Sequence, residues 1–173
     1  VMKIIVWCLC MLFSINAFAD GEEGAKVGDQ SPNFEYEDKD GKIYSLKDFR
    51  GKYVLIDFWA TYCAPCKKEI PYLEKIQEKF KKKNIFFVSI AIDLNKKEWI
   101  QFLEQNPLKG TQLVFDRKWL SFVHYYQVTT IPRYILLDKE GKVVHLDMPR
   151  PSNPEFEKIL KSLKGCLLYT SPS

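Results

Sequence analysis

The stretch WATYCAPC, Trp59 to Cys66, sets two cysteines two residues apart between the apolar run YVLIDFWA and a charged one. That spacing admits four chemistries: a redox couple, half of a zinc site, a haem anchor or a small structural disulfide. A structural zinc site takes four ligands in most cases. Residues 20–164, the expected domain, contain no second cysteine pair, and His124 and His145 stand alone. Haem attachment needs a histidine directly after the second cysteine, where this chain has Lys67. A disulfide closing so short a loop removes little entropy from the unfolded chain and stabilises weakly. The redox reading has a physical basis. A helix beginning at about Ala64 points its unsatisfied amides and positive dipole end at Cys63. That favours the thiolate, which is the attacking species. Pro65 is tolerated in the first turn, where its missing N–H has no helical partner in any case. Cys66 falls on the same side of that turn, behind Cys63. Cys63 is therefore the candidate nucleophile, and Cys66 the thiol that resolves a mixed disulfide.

Resolution requires Cys66 to lose a proton while buried, and Asp57 offers an acceptor. An aspartate inside YVLIDFW is unexpected, because a buried carboxylate without a partner is costly. Burial raises its pKa and lets it exchange a proton near neutral pH. An aspartate merely hydrogen-bonded, or exposed at the strand edge, is the plainer alternative.

The elements around these residues read as follows. NFEYE (33–37) and KIYSL (42–46) alternate and are joined by an aspartate–glycine turn, a hairpin signal. Residues 53–59 form a buried strand. From Ala64 to about Lys82, Ile70, Leu73, Ile76 and Phe80 keep helical spacing, with Pro71 expected to kink the helix. IFFVSIAI (85–92) is a second strand of the kind buried in parallel sheets. Asn95 and Glu98 read as a capping box opening a helix. A short strand (112–115) and a helix (about 117–126) follow. Residues 133–137 and 142–146 form a second hairpin. Asn153 and Pro154 then start a helix to about Lys164. The sum is an α/β fold, a mixed sheet flanked by helices on both faces. Cys63 lies at the carboxyl edge of its first long strand, where open α/β sheets place their chemistry.

The ends of the chain read differently from the domain. Residues 1–19 have the plan of a cleaved secretory signal: Lys3, the apolar stretch Ile4 to Ile15, then Ala17-Phe18-Ala19. The apolar stretch is too short for a membrane span. Residues 20–164 are the expected domain, with 20–31 as a loose leader. Residues 165–173, and Val1 before Met2, are expected to be non-native or disordered. Of five cysteines, only Cys63 and Cys66 fall inside the domain. A net charge of +4 is too mild to argue for nucleic acid or an anionic membrane.

IDFWATYCAPCKKEIP resembles the signature of the thioredoxin superfamily. DGKIYSLKDFRGKYVLIDFWA, EIPYLEKI and IPRYILLDKEGKVV resemble its exported branch, related to TlpA and ResA. The resemblance covers roughly residues 27–163 and implies a thioredoxin-like fold with an N-terminal β-hairpin extension. It implies a periplasmic thiol–disulfide oxidoreductase with a Cys63–Cys66 redox disulfide and no cofactor. Such members mostly reduce protein disulfides, in cytochrome c maturation or in redox homeostasis. They draw electrons from a membrane thiol-transfer protein, the one route to membrane contact. The resemblance makes Pro132 a cis-proline and Ile131 a backbone partner for an extended client. Trp59, Tyr62, Ala64 and Pro65 join them in the implied client-binding set. The sequence departs from the pattern in three places. Asp57 stands where many exported relatives carry asparagine, Tyr62 replaces a common tryptophan, and Ala64-Pro65 lacks an acidic residue. These departures leave the client open. A thiol peroxidase on this fold would want a threonine three residues before its cysteine, which neither cysteine has. A copper- or zinc-binding module using the pair as soft ligands is the non-enzymatic alternative.

Overall fold

The computed structural model describes residues 24–164; the signal expected at 1–19 and the tail expected at 165–173 lie outside them. Along the chain come β1 (Glu35–Glu37), β2 (Ile43–Ser45), β3 (Tyr53–Trp59) and α1 (Ala64–Phe80). Then follow β4 (Ile85–Ala91), α2 (Lys96–Gln105), β5 (Thr111–Val114) and α3 (Leu120–Tyr125). β6 (Arg133–Leu137), β7 (Val143–His145) and α4 (Pro154–Ser162) complete the described chain. The strands form one seven-stranded sheet in the order β2-β1-β5-β4-β3-β6-β7.

β3 is buried at every position after Tyr53, so it needs partners on both edges and cover on both faces. β4 runs parallel on one side, pairing Asp57 with Ser89, and β6 antiparallel on the other, pairing Asp57 with Tyr134. Alternation along β3 sends Val54, Ile56 and Phe58 into a cluster with Phe122 of α3 and with Phe34 and Phe49. Leu55 points the other way, under Leu73 and Ile76 of α1 and Phe156 and Leu160 of α4. Trp59 shares that second face with Trp99 and Leu103 of α2 and with both cysteines. Asp57 is in phase with Leu55 and Trp59, so it lies on the face that α1 covers.

Two turns of like sequence close the hairpins that flank this core. In DKDG and DKEG, Asp38 and Asp138 each accept two backbone N–H bonds across the turn. Gly41 and Gly141 take positive φ (82° and 80°), a conformation open to glycine without cost. The N-terminal hairpin joins the sheet through Glu37 opposite Val114 of β5.

Three expectations change. Residues 25–31 are not loose. Gly28 donates to Val143 O at 2.8 Å, Val143 to Asp29 O at 2.9 Å and Ser31 to Gly141 O at 3.0 Å. This segment covers the edge that β7 would otherwise leave unpaired. The helix expected from 117 begins with a 3-10 turn at Arg117–Trp119 and becomes α-helical only from Leu120. At α2, Asn95 caps through Lys97 N, but Glu98 meets the Asn95 side-chain amide at 2.7 Å and not its backbone.

Candidate functional site

The strand that carries Asp57 ends at Trp59, and four residues turn the chain into α1. Cys63 N donates to Ala60 O at 3.0 Å within that turn. Cys63 is the N-cap of α1, with extended backbone (φ −82°, ψ 96°). Its Sγ accepts a hydrogen bond from Cys66 N at 3.1 Å, one of the donors a helix start leaves without an internal partner. The sulfur thus replaces the usual oxygen cap, and the helix end favours negative charge on it. Cys63 and Cys66 are joined in a disulfide with Cα atoms 5.3 Å apart. Cys63 is 7% exposed and Cys66 3%, so the first is the sulfur that an incoming group reaches.

The loop before β6 packs against the same sulfur. Ile131–Pro132 is cis, and Ile131 O lies 3.9 Å from Cys63 Sγ. Both residues are half-buried, whereas Ala64 and Pro65 are exposed. Tyr62, directly before Cys63 in the chain, has 70% of its surface exposed. These residues form a rim around the disulfide. Trp59 does not belong to it. Its ring is 2% exposed and tilted against Phe102 at 5.5 Å, so it supports the cysteines from within.

Asp57 is buried, at 7% exposure. Its Oδ2 accepts from Ser89 Oγ at 3.3 Å, while Oδ1 is buried with no hydrogen-bond partner. Burial pushes this carboxyl up to about 7, against a small downward pull from Ser89. Its cross-strand neighbour Tyr134 is driven far above the usual phenol range, first by burial and then by the charge of Asp57. A carboxyl that titrates near neutrality and sits on the α1 face beneath the cysteines can take up and release a proton at working pH.

Two further buried carboxylates were not singled out in the sequence. Asp93, at the end of β4, is 4% exposed. It accepts from Thr61 N at 3.2 and 3.0 Å and from Thr61 Oγ1, which fixes the turn leading to Cys63. Glu69, one turn beyond Cys66, is 6% exposed. It accepts from Ser152 N at 2.9 Å and Ser152 Oγ at 3.0 Å, which ties the lead-in to α4 onto α1. His124 is exposed, and the described residues contain no group of three or more histidine, cysteine or acidic side chains arranged to hold a metal ion.

Residues 26–163 match the family described as Redoxin. The chain is 35% identical over 144 residues to the thiol-disulfide oxidoreductase ResA of Bacillus subtilis, covering 82% of this chain and 79% of that one. It is 30% identical over 164 residues to ResA of Bacillus thuringiensis subsp. konkukian, covering 94% of each. Among solved structures, the thioredoxin domain of a thiol-disulfide oxidoreductase from Bacteroides vulgatus superposes with a TM-score of 0.72 at 29% identity. That match covers 80% of this chain and 97% of the other.

Proposed function

Because this chain belongs to the Redoxin family, as a TlpA/ResA-like thiol–disulfide oxidoreductase of the thioredoxin superfamily, we propose that it acts outside the cytoplasm as a reductase of protein disulfides. The observation that carries this reading is the Cys63 sulfur. It caps α1 through Cys66 N, is the more exposed of the pair, and lies against Ile131 O. In the reduced protein, Cys63 thiolate attacks a client disulfide; one client sulfur leaves as thiolate and a mixed disulfide forms. Cys66 then gives its proton to Asp57 and attacks Cys63 Sγ. The Cys63–Cys66 disulfide closes, and the second client thiol is released. The enzyme ends two electrons poorer than it began and needs a thiol donor to be reduced again. We assign that role to a membrane thiol-transfer protein, which supplies the chain's contact with the membrane.

The rim of Tyr62, Ala64, Pro65, Ile131 and Pro132 is the client-docking surface in this reading, with Ile131 presenting its backbone to an extended segment. The domain is taken as residues 20–164, exported behind a signal at 1–19. Apocytochrome c and the general pool of misoxidised proteins are the two candidate client classes.

The reduction potential tests the direction of transfer. A value near that of thioredoxin, about −270 mV, is expected, and one near −120 mV would make the protein an oxidant. A Cys66→Ala variant is expected to hold clients as mixed disulfides through Cys63. Recovery of no disulfide-linked client would count against the mechanism.

A further inference from the structure

Beneath the cysteines, on the α1 face of the sheet, is a narrow, partly open cavity of about 20 Å³. Its polar wall is made by Asp57 and Trp59 of β3, Ser89 of β4, Gln77 of α1 and Gln112 of β5. Glu74 and Lys109 line its outer side. Six buried side-chain polar atoms among the described residues have no hydrogen-bond partner. Four of them belong to this wall: Asp57 Oδ1, Trp59 Nε1, Gln77 Oε1 and Gln112 Oε1. Buried polar groups are rarely left unpaired, and each case calls for a physical reason. The cavity exceeds the roughly 10–15 Å³ that one water needs, and such a water takes two to four polar partners. Three acceptors and one N–H donor suit a molecule that donates twice and accepts.

The enclosure is built closely. Gln112 Nε2 donates to Lys109 O at 2.7 Å and Lys109 N to Glu74 Oε1 at 3.3 Å. Gly110 crosses over Gln77 at φ +78°, where an added Cβ would lie 3.0 Å from Gln77 Nε2 and 3.0 Å from Phe87 O. The loop therefore lies directly on the Gln77 amide. Glu74 is half-buried and Lys109 exposed, so the far side of the cavity reaches solvent. Its near side is Trp59, which packs with both cysteines.

We propose that this cavity binds one water and is the port through which the proton passed from Cys66 to Asp57 leaves for solvent, with Gln77 and Gln112 as positioning residues that hold the water. This rests on the reading of Asp57 as the acceptor of the Cys66 proton. The balance is simple. The S–H bond of Cys66 breaks, and its proton passes to Asp57, to the water and then to bulk solvent. The Cys66–Cys63 S–S bond forms as the Cys63–client S–S bond breaks, and the departing client thiolate takes a proton from bulk. No outside oxidant enters. None of the rim residues Tyr62, Ala64, Pro65, Ile131 and Pro132 lines the port, so a docked client need not block it. The groups that face Asp57 from its neighbours are Ser89 on β4, Tyr134 on β6 and Glu74 on α1, with Lys109 the nearest cation of the loop.

Stopped-flow reaction of the reduced protein with an aromatic disulfide separates the two steps. Release of the first aromatic thiolate reports attack by Cys63, and release of the second reports resolution by Cys66. In a Gln77→Leu/Gln112→Leu double variant the second release is expected to slow about tenfold, less than the roughly hundredfold or more of a lost general base because Asp57 itself remains. Its pH midpoint is expected to rise, and the first release to stay unchanged. If the second release keeps its rate and midpoint while Asp57→Asn slows it, the port is wrong and the role of Asp57 stands. If Asp57→Asn leaves it unchanged, that role fails and the port fails with it. A high-resolution crystal structure of the wild-type protein decides the case independently of how the variants fold. A water hydrogen-bonded to Asp57 Oδ1 and to either glutamine supports the port, and a dry cavity overturns it.

Discussion

Two regions of this protein bury carboxylates, and they treat them oppositely. At the turn before Cys63 and at the junction of α1 with α4, Asp93 and Glu69 each receive backbone and hydroxyl hydrogen bonds, from Thr61 and Ser152. Beneath the cysteines, Asp57 receives one bond from Ser89 at 3.3 Å and leaves Oδ1 unpaired. All three are less than 9% exposed, so burial alone does not distinguish them. Hydrogen bonding does. A carboxylate with several donors braces the backbone that it holds, whereas a buried one with few favours its neutral form and can trade a proton. Asp93 fixes the turn that leads to Cys63, and Glu69 ties the lead-in of α4 onto α1. In the proposed mechanism the sparsely bonded one is the proton acceptor.

The largest expected effect that sharpens this contrast is on stability. Asp57 has a folded pKa raised to about 7, above its unfolded value near 3.9. Between those values the native state binds more protons than the unfolded one, so stability falls as pH rises through the window. A shift of three units corresponds to about 4 kcal/mol. Asp57→Asn is expected to remove most of that slope, raising stability at pH 8 and changing little at pH 4. Denaturant unfolding at the two pH values measures it. An unchanged slope would put Asp57 with the braces. Next comes the rate of resolution. With its base removed by Asp57→Asn, the Cys66 step is expected to slow about a hundredfold near neutral pH. Glu69→Ala should cost about 2 kcal/mol at neutral pH, because it removes the two hydrogen bonds by which a buried carboxylate holds Ser152 N and Oγ. Thr61→Val is expected to cost about 1 kcal/mol, the loss of a single side-chain bond to Asp93. A variant of either brace that cost nothing would erase the distinction from the other side.

What could be read from the chain, and what could not, follows the same division. β3, the Cys63 cap of α1, the DKDG and DKEG hairpins and the Asn153-Pro154 start of α4 each depend on residues a few positions apart. Alternation, helical spacing and capping chemistry announce them. Asp57 was readable because a carboxylate is out of place in YVLIDFW. Asp93 and Glu69 stand in ordinary settings, at a strand end and in a charged helix turn. Their partners lie 32 and 83 residues away, and no local pattern joins them. The leader looked loose for a similar reason: its bonds are to the β6–β7 hairpin, more than a hundred residues on. Trp59, grouped with the client surface by family likeness, turns inward because its place in the β3 alternation commits it to the face with Trp99. The cavity at Asp57 is assembled from β3, α1, β4, the loop that crosses Gln77, and β5, and only the folded chain brings its walls together.

The central claim is that Asp57 is the buried carboxyl that changes charge at working pH. It is tested most directly by following the side-chain carboxyl carbon resonance of Asp57 through a pH titration of the oxidised protein. A midpoint near 7 is the expected result. A midpoint near 4, in the range of ordinary surface carboxylates, would contradict it and leave Cys66 without its proton acceptor.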